Sequence, residues 1–155
     1  MFRWVSLGLV ALWPISFQAQ WPYGPATTPD AQRNALRAVR TQVNWLQNST
    51  RTAANYRAQG YGNVWQTFQE LQQVYGTFKR TLNPQQLAYG ANELAELDAG
   101  LNIIQEAFAN YHEDVASGQP PGMALNHMCQ VLRQGSKHWL KELNETCARL
   151  RVGWG

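Results

Sequence analysis

The longest run of helical periodicity in the chain lies between Leu87 and Val115. Apolar side chains recur in it at alternating steps of three and four residues: Leu94, Leu97, Leu101, Ile104, Phe108, Tyr111 and Val115. This spacing places the side chains on one face of an α-helix, which has about 3.6 residues per turn. An apolar stripe of this length has to be buried against other helices. We therefore expect this segment to be the central helix of a helical domain.

Three further segments repeat the same spacing, and each predicts one helix. The stripe positions of the first are Leu36, Val39, Val43, Leu46, Thr50 and Ala53. Those of the second are Val64, Phe68, Leu71, Tyr75 and Phe78. Those of the last are Leu125, Cys129, Leu132, Ser136, Trp139, Leu143, Cys147 and Leu150. No segment shows the strict alternation that is typical of a strand.

Proline and glycine mark the ends of the first two helices. Thr28-Pro29-Asp30 predicts a helix start, because it combines an N-cap hydroxyl, proline at the first helical position and an acid in the first turn. We expect this helix to end at about residues 56–59, before a turn formed by Gly60-Tyr61-Gly62. Asn63 would then cap the second helix, which is expected to end near Thr81.

Asn83-Pro84 repeats the start signal and opens the third helix. Glycine costs about 1 kcal/mol relative to alanine inside a helix, so Gly90 predicts a kink. Residues 117–122 contain two prolines and two glycines, and they end this helix near Ala116. Gly135-Ser136 leaves two alternatives for the last helix: a break, or one long helix, which the unbroken phase of the stripe favours.

Short connections between four helices favour antiparallel neighbours. We therefore predict an all-α fold, an antiparallel up-down four-helix bundle with long helices, over residues 29–151. The chain has 155 residues, which is enough for one such core. Residues 152–155 are expected to form a short tail.

Residues 1–19 have the pattern of a secretory signal peptide that precedes the bundle. Arg3 supplies the positive charge, and the apolar run from Val5 to Phe17 is shorter than the roughly 20 residues that span a bilayer. Cleavage is expected after about Ala19. Phe17 occupies a position that favours a small residue, so an uncleaved membrane anchor is the alternative. The mature protein is predicted to be secreted or periplasmic.

Residues 20–28 form an arm that is rich in proline and aromatic side chains. Pro22 and Pro25 favour extended or turn conformations, and Trp21 and Tyr23 carry large rings. Two interpretations stay open. The arm is either a terminus without fixed structure, or its rings dock on the bundle or on a neighbouring molecule.

Charge excludes one class of partner. The formal net charge is only +3, from 13 basic and 10 acidic residues. Because nucleic-acid binding needs a clustered basic face, no nucleic-acid partner is predicted. Arg33, Arg37 and Arg40 share one face of the first helix by their spacing. They either complement the acidic face of a neighbouring helix or contact a charged partner.

Cys129 and Cys147 are an even pair, which suggests a disulfide in an oxidising compartment. On one continuous helix, however, they would lie about 27 Å apart, too far to be bridged. Three outcomes stay open: an irregular turn that brings the two together, two buried reduced thiols, or bridges between chains. An antiparallel homodimer could pair Cys129 of one chain with Cys147 of the other.

His112 and His127 lie equally far from the centre of the 117–122 loop, so antiparallel helices could bring them to the same level. Met123 lies one turn before His127. Some four-helix bundles hold metals or haem at such positions. Neither Glu-x-x-His nor Cys-x-x-Cys-His occurs, and both histidines lie beside their stripes. These three residues are weak metal-ligand candidates, and no cofactor is predicted.

No catalytic motif is present: the chain has no nucleophile elbow, P-loop, dinucleotide turn or zincin pattern. We therefore expect no enzymatic activity. Asn48-Ser-Thr and Asn144-Glu-Thr match the N-glycosylation acceptor pattern, which leaves glycosylation open. No motif assigns the chain to a known family.

The leading hypothesis is an exported, non-enzymatic helical bundle that acts as an interaction or structural module in the periplasm, the cell envelope or the extracellular space. Its expected partners are proteins, including a second copy, and a membrane is expected only through an uncleaved leader. Exposed aromatic residues are typical of contact surfaces, so Tyr61 in its predicted turn is the preferred contact, unless its ring packs back over the bundle. The alternative hypothesis is a small-ligand or metal-binding four-helix bundle.

Overall fold

The computed structural model describes residues 28–56 and 58–154. The predicted leader and the arm up to residue 27 lie outside this range. Within it every regular element is a helix and there is no strand, which confirms the predicted all-α class. The elements are α1 (Pro29–Thr52), a 3-10 turn (Ala53–Tyr56), α2 (Ala58–Arg80), α3 (Pro84–Tyr89), α4 (Ala91–Ala116) and α5 (Pro121–Arg149).

Both predicted helix starts are confirmed by their hydrogen bonds. At α1 the Thr28 hydroxyl accepts a bond from the backbone N–H of Ala31 at 3.1 Å. At α3 the Asn83 side chain accepts from the N–H of Gln86 at 2.8 Å, and the Gln86 side chain accepts from the N–H of Asn83 at 3.0 Å. This reciprocal capping box satisfies two donors that a helix start otherwise leaves unpaired.

The predicted Gly60-Tyr61-Gly62 turn is wrong, because these residues lie inside α2. The chain reverses earlier, in the 3-10 turn, and Asn63 lies within the helix rather than at its cap. Gly60 is needed for packing: a β-carbon there would collide with the carbonyl oxygen of Ala53 in the turn. The sequence signal was therefore real, but it reports a close approach between two segments and not a turn.

The other two predicted irregularities have opposite outcomes. The kink near Gly90 is a complete break, where α3 ends and α4 begins, and a β-carbon at Gly90 would lie 2.7 Å from a methyl group of Leu150. At Gly135 α5 continues without a break, which confirms the long helix. A β-carbon at Gly135 would lie 3.1 Å from the Ile104 side chain, so this glycine brings α4 and α5 close together.

The four predicted stripes meet in a single apolar core. Every stripe residue is buried except Tyr111 and Val115, which lie at the C-terminal end of α4 and are partly exposed. Trp139 is the largest of the fully buried side chains, and its indole N–H donates to the carbonyl oxygen of Leu97 at 2.9 Å. This bond satisfies the one polar atom of the ring and fixes the position of α5 along α4.

Side-chain contacts show which helices are neighbours. Between α1 and α2, the Gln42 amide donates to the carbonyl oxygen of Thr67 at 3.1 Å. Between α1 and α5, Arg133 donates to the carbonyl oxygen of Thr50 at 3.1 Å. Two ion pairs complete the set, Lys79–Asp98 at 2.9 Å from α2 to α4 and Arg149–Glu93 at 3.5 Å from α4 to α5. None of the described helices is both long and apolar enough to cross a membrane.

A pair of amide side chains, the buried Gln32 and the partly buried Gln86, closes the end of the molecule where α1 begins. Gln32 is 3% exposed, and its side-chain amide donates to the carbonyl oxygen of Thr81 at 2.9 Å and to the side-chain oxygen of Gln86 at 2.7 Å. Its own side-chain oxygen accepts from the N–H of Gly153 at 2.9 Å. The amide of Gln86 also reaches the carbonyl oxygen of Leu150 at 3.2 Å. The predicted tail is thus folded back onto α1.

We expect Gly60→Ala to destabilise the protein and Gly62→Ala to stabilise it. The new methyl group at position 60 collides with backbone, and overpacking of this kind costs about 1–3 kcal/mol. No atom lies within 4 Å of a β-carbon at Gly62, so the gain in helix propensity there is up to about 1 kcal/mol. Urea unfolding followed by circular dichroism measures both. Equal destabilisation by both variants would contradict the helical conformation of residues 60–62 and support the turn predicted there from the sequence.

We expect Gln32→Ala to lower the free energy of unfolding by about 2–3 kcal/mol, because the carbonyl of Thr81 and the N–H of Gly153 lose their partner inside the protein. Gln134→Ala is the matched control, because it is the same substitution at an exposed position of α5. It should change the free energy of unfolding by less than about 0.5 kcal/mol. Thermal and urea unfolding of the two variants provide the comparison. If the two variants are equally stable, the amide junction contributes nothing.

Candidate functional site

An aromatic cluster lies where the N-terminal part of α2 meets the C-terminal part of α4. The ring of Tyr61 stacks on Tyr111 at a centroid distance of 4.8 Å and meets Phe108 edge-on at 5.8 Å. Trp65 also meets Phe108 edge-on, at 4.8 Å. Packing of aromatic side chains in these geometries adds roughly 0.5–1.5 kcal/mol per pair beyond the burial of their area. The cluster is therefore a rigid platform.

Tyr61 and His112 form the polar element of this cluster. The Tyr61 hydroxyl lies 2.8 Å from Nε2 of His112, and the two rings are 5.0 Å apart. Burial, together with the neighbouring Tyr111, raises the pKa of Tyr61, so its hydroxyl keeps its proton at neutral pH. The hydroxyl donates when His112 carries its proton on Nδ1 and accepts when Nε2 is protonated. The pair is held in place in either state.

Two clefts open on either side of the Tyr61–His112 pair, which lines both. We name the larger the end cleft: it has a volume of about 640 Å³ and lies between the 3-10 turn and the start of α5. Its apolar lining includes Tyr111, Val115 and Leu125. The smaller, the side cleft, has a volume of about 550 Å³ and runs between α2 and α4. It is lined by Trp65, Phe108, Ala109 and the polar side chains Asn102, Gln105 and Glu106.

Tyr61 thus occupies a different place from the one the sequence predicted. It is on a helix and not in a loop, and its ring packs on the cluster while its hydroxyl reaches His112. Its edge still lines both clefts, so its role as a partner contact stays a prediction. No pattern in the sequence indicates that Tyr61 and His112, 51 residues apart, form a pair.

The three weak metal-ligand candidates have different surroundings. His112 is bonded to Tyr61, whereas Nδ1 of His127 faces Asp114 at 3.8 Å. Met123 is 64% exposed. Among residues 28–56 and 58–154, no group of three or more histidine, cysteine or acidic side chains could hold a metal ion. The structure therefore gives each histidine its own partner within the chain.

The three arginines of α1 also have separate surroundings. Arg33 donates to Asp30 and to the carbonyl oxygen of Gly153. Arg40 donates to the side-chain oxygen of Asn144 at 2.9 Å. Arg37 is exposed and lines a shallow cleft of about 410 Å³ together with Trp45. Two of the three are thus engaged within the chain, and a charged partner for this face stays a prediction.

Cys129 and Cys147 are free thiols, each buried on the stripe of α5. The helix is continuous between them, so of the three outcomes left open the irregular turn with an internal disulfide does not occur. Burial raises the pKa of both thiols, that of Cys147 to about 12, although Arg133 and Arg40 oppose the shift. A bridge between chains would require these side chains to leave the core. Of the two candidate glycosylation sites, Asn48 is exposed and Asn144 is partly buried.

A second aromatic surface lies at the opposite end of the molecule. Tyr89 is 81% exposed at the end of α3, and Trp154 is 72% exposed in the folded-back tail. Both line a groove of about 500 Å³, together with Arg149 and Arg151. In the sequence Tyr89 directly precedes Gly90, and Trp154 lies in the predicted tail. The sequence could not show that they share a groove, because that depends on where the tail folds.

Comparisons with protein-family models, with curated proteins and with solved structures found no match for this chain.

We expect both cysteines to resist alkylation in the native protein and to react fully in denaturant. Because both thiols have raised pKa values, the folded state binds more protons than the unfolded chain at high pH. Their contribution to stability is fully present below about pH 8.5, the usual thiol pKa, and is lost as the pH rises toward 12. Intact mass after alkylation and urea unfolding at several pH values measure the two effects. A reductant-sensitive dimer would contradict the assignment of two buried thiols.

Proposed function

We propose that the protein is an exported, non-enzymatic helical bundle that acts as an interaction module in the periplasm, the cell envelope or the extracellular space. Its partner is a protein chain, and the end cleft beside Tyr61 and His112 is the contact site. The single observation that carries this proposal is the cleft itself. It combines a rigid aromatic wall, one bonded pair of polar side chains and an open mouth in one place.

The architecture that we propose is an antiparallel up-down four-helix bundle formed by α1, α2, α4 and α5, with α3 as a short additional helix. Support comes from the four side-chain contacts between neighbours, which link α1 to α2, α2 to α4, α4 to α5 and α5 to α1. In the second and third pairs a residue in the first third of α4 meets a residue near the end of α2 or of α5. The direction of α1 against α5 follows from two contacts, since Thr50 meets Arg133 and Arg40 meets Asn144. A closed ring of antiparallel helices accounts for the single core.

Several features of the end cleft suit an apolar side chain of a protein partner. Interface residues that contribute most to affinity are often tyrosines in well-packed surroundings, next to a pocket that a partner side chain can fill. Tyr61 meets this description, since the cluster fixes its ring while its edge stays accessible. Leu125 and Val115 form apolar walls, and the bonded Tyr61–His112 pair offers a polar contact at the rim.

A small organic ligand is the second candidate for the same cleft. Its volume of about 640 Å³ falls inside the roughly 300–1,000 Å³ of small-molecule sites, and its lining is apolar with a few polar groups. A ligand of this kind would be mainly aromatic or aliphatic, with one group that bonds to the Tyr61–His112 pair. Metal binding near His127 and Met123 would be a separate site, and elemental analysis of the purified protein tests it.

We expect Tyr61→Ala to weaken capture of a protein partner at least tenfold, because it removes both the aromatic wall and the polar contact. The bait is the purified exported protein, and the sample is the envelope or culture fraction of the source cells. Tyr61→Phe keeps the ring and should keep most of the binding. Tyr89→Ala is the matched control, since it removes an exposed tyrosine at the opposite end. Circular dichroism verifies that all variants stay helical.

Either of two results would contradict the proposed function. Capture of the same partner by the wild-type protein and by Tyr61→Ala would exclude the end cleft as the contact site. Native mass spectrometry of protein purified from its own cells tests the second candidate. If the wild-type protein carries the extra mass of a small compound and Tyr61→Ala does not, the end cleft binds a small ligand and the proposed protein partner is contradicted.

A further inference from the structure

A second concave surface, besides the end cleft, lies at the end of the molecule that holds the tail. We name it the tail groove: it lies between α3, the end of α5 and residues 150–154, and has a volume of about 500 Å³. Tyr89 and Trp154 are the two most exposed large apolar side chains in the described part of the chain. Exposed aromatic rings that share one groove are typical of a contact site.

Hydrogen bonds hold the tail in one conformation beside this groove. Arg151 and Gly153 have positive φ angles of 52° and 77°, and the left-handed region is unfavourable for arginine. The N–H of Gly153 is bonded to the buried Gln32, and the N–H of Trp154 donates to the carbonyl oxygen of Arg151 at 3.1 Å. These bonds keep Trp154 at the wall of the groove.

The chain enters the described fold beside this groove. α1 begins at Pro29, and a β-carbon at Gly153 would lie 3.6 Å from the carbonyl oxygen of Pro29. The segment that precedes α1 is the proline- and aromatic-rich arm, residues 20–27. From Thr28 back to Trp21 the chain can span at most about 25 Å, at roughly 3.3–3.6 Å per residue. The tail groove lies at the same end of the molecule as Pro29, to which the arm is joined through Thr28.

The chemistry of the arm matches that of the groove. Pro22 and Pro25 lack backbone N–H groups, so this stretch offers mainly carbonyl oxygens and apolar rings. The groove provides the opposite: aromatic side chains, and hydrogen-bond donors on Asn83, Gln85, Arg149 and Arg151. Proline-rich segments bind in aromatic-lined grooves in this way, because they are already extended and lose little entropy. The arginines can also lie against the rings of Trp21 or Tyr23.

We propose that the arm, residues 20–27, docks into the tail groove of its own chain, with its prolines and rings against Tyr89 and Trp154. Docking covers the two exposed rings and joins the start of the bundle domain to its end. The proposal is independent of the function assigned to the end cleft, which lies at the opposite end of the molecule.

The test is the rate at which chymotrypsin cuts the exported protein after Tyr23, followed by mass spectrometry of that one product. We expect Trp154→Ala and Tyr89→Ala each to speed this cut at least tenfold, because both variants remove a wall of the groove. Trp45→Ala is the matched control, since Trp45 is 57% exposed on α1 and lines a different cleft. It should leave the rate unchanged.

Three results would overturn the proposal. The first is an equal cutting rate in the wild-type protein and both groove variants. The second is protection that grows with protein concentration, which would assign the groove to the arm of a second copy. The third is an equal effect of Trp45→Ala, which would mean that the variants act through stability. Partner capture through Tyr61 should be unaffected by any of these variants.

Discussion

In the part of the chain that the structure describes, the apolar stripes of the four long helices pack against one another, and the rest of the structure depends on this constraint. Because one stripe can be covered fully only when all four meet, the chain forms one core rather than two pairs of helices. Packing all four stripes together brings neighbouring segments very close at particular points. Gly60 and Gly135 allow this by having no side chain, and Trp139 fills the remaining space between α4 and α5 while its indole N–H finds a carbonyl partner.

Polar side chains form hydrogen bonds at both ends of this core, but the two ends differ in how completely the core is covered. At the tail end an amide pair, the buried Gln32 and the partly buried Gln86, joins four segments of the chain by hydrogen bonds. At the other end the stripe of α4 ends in Tyr111 and Val115, which are only partly buried. Apolar surface is therefore left open to solvent there, and the end cleft forms around it.

The two aromatic surfaces follow from this difference between the ends. The Tyr61–His112 cleft is built on helices, and its aromatic wall packs on the core. The tail groove depends on a short segment held by hydrogen bonds, and it lies beside the start of α1. The two proposals follow this difference: a partner site is proposed at the end built from helices, and an intramolecular contact at the end built from the tail.

The sequence by itself determined the helical class, the stripe positions and the two capped helix starts, because these depend on local periodicity and on neighbouring residues. It favoured one continuous helix through Cys129 and Cys147 but left an internal disulfide open, because Gly135-Ser136 also fits a helix break; packing of the whole stripe decided for the continuous helix. Only the tertiary structure decided what distant residues do together. The glycines near Tyr61 could signal a turn or a close contact, since both need a missing β-carbon, and packing against the 3-10 turn decided for contact. The pairing of Tyr61 with His112 likewise depends on how far α2 and α4 slide past each other, which the burial of whole stripes sets and no local pattern records.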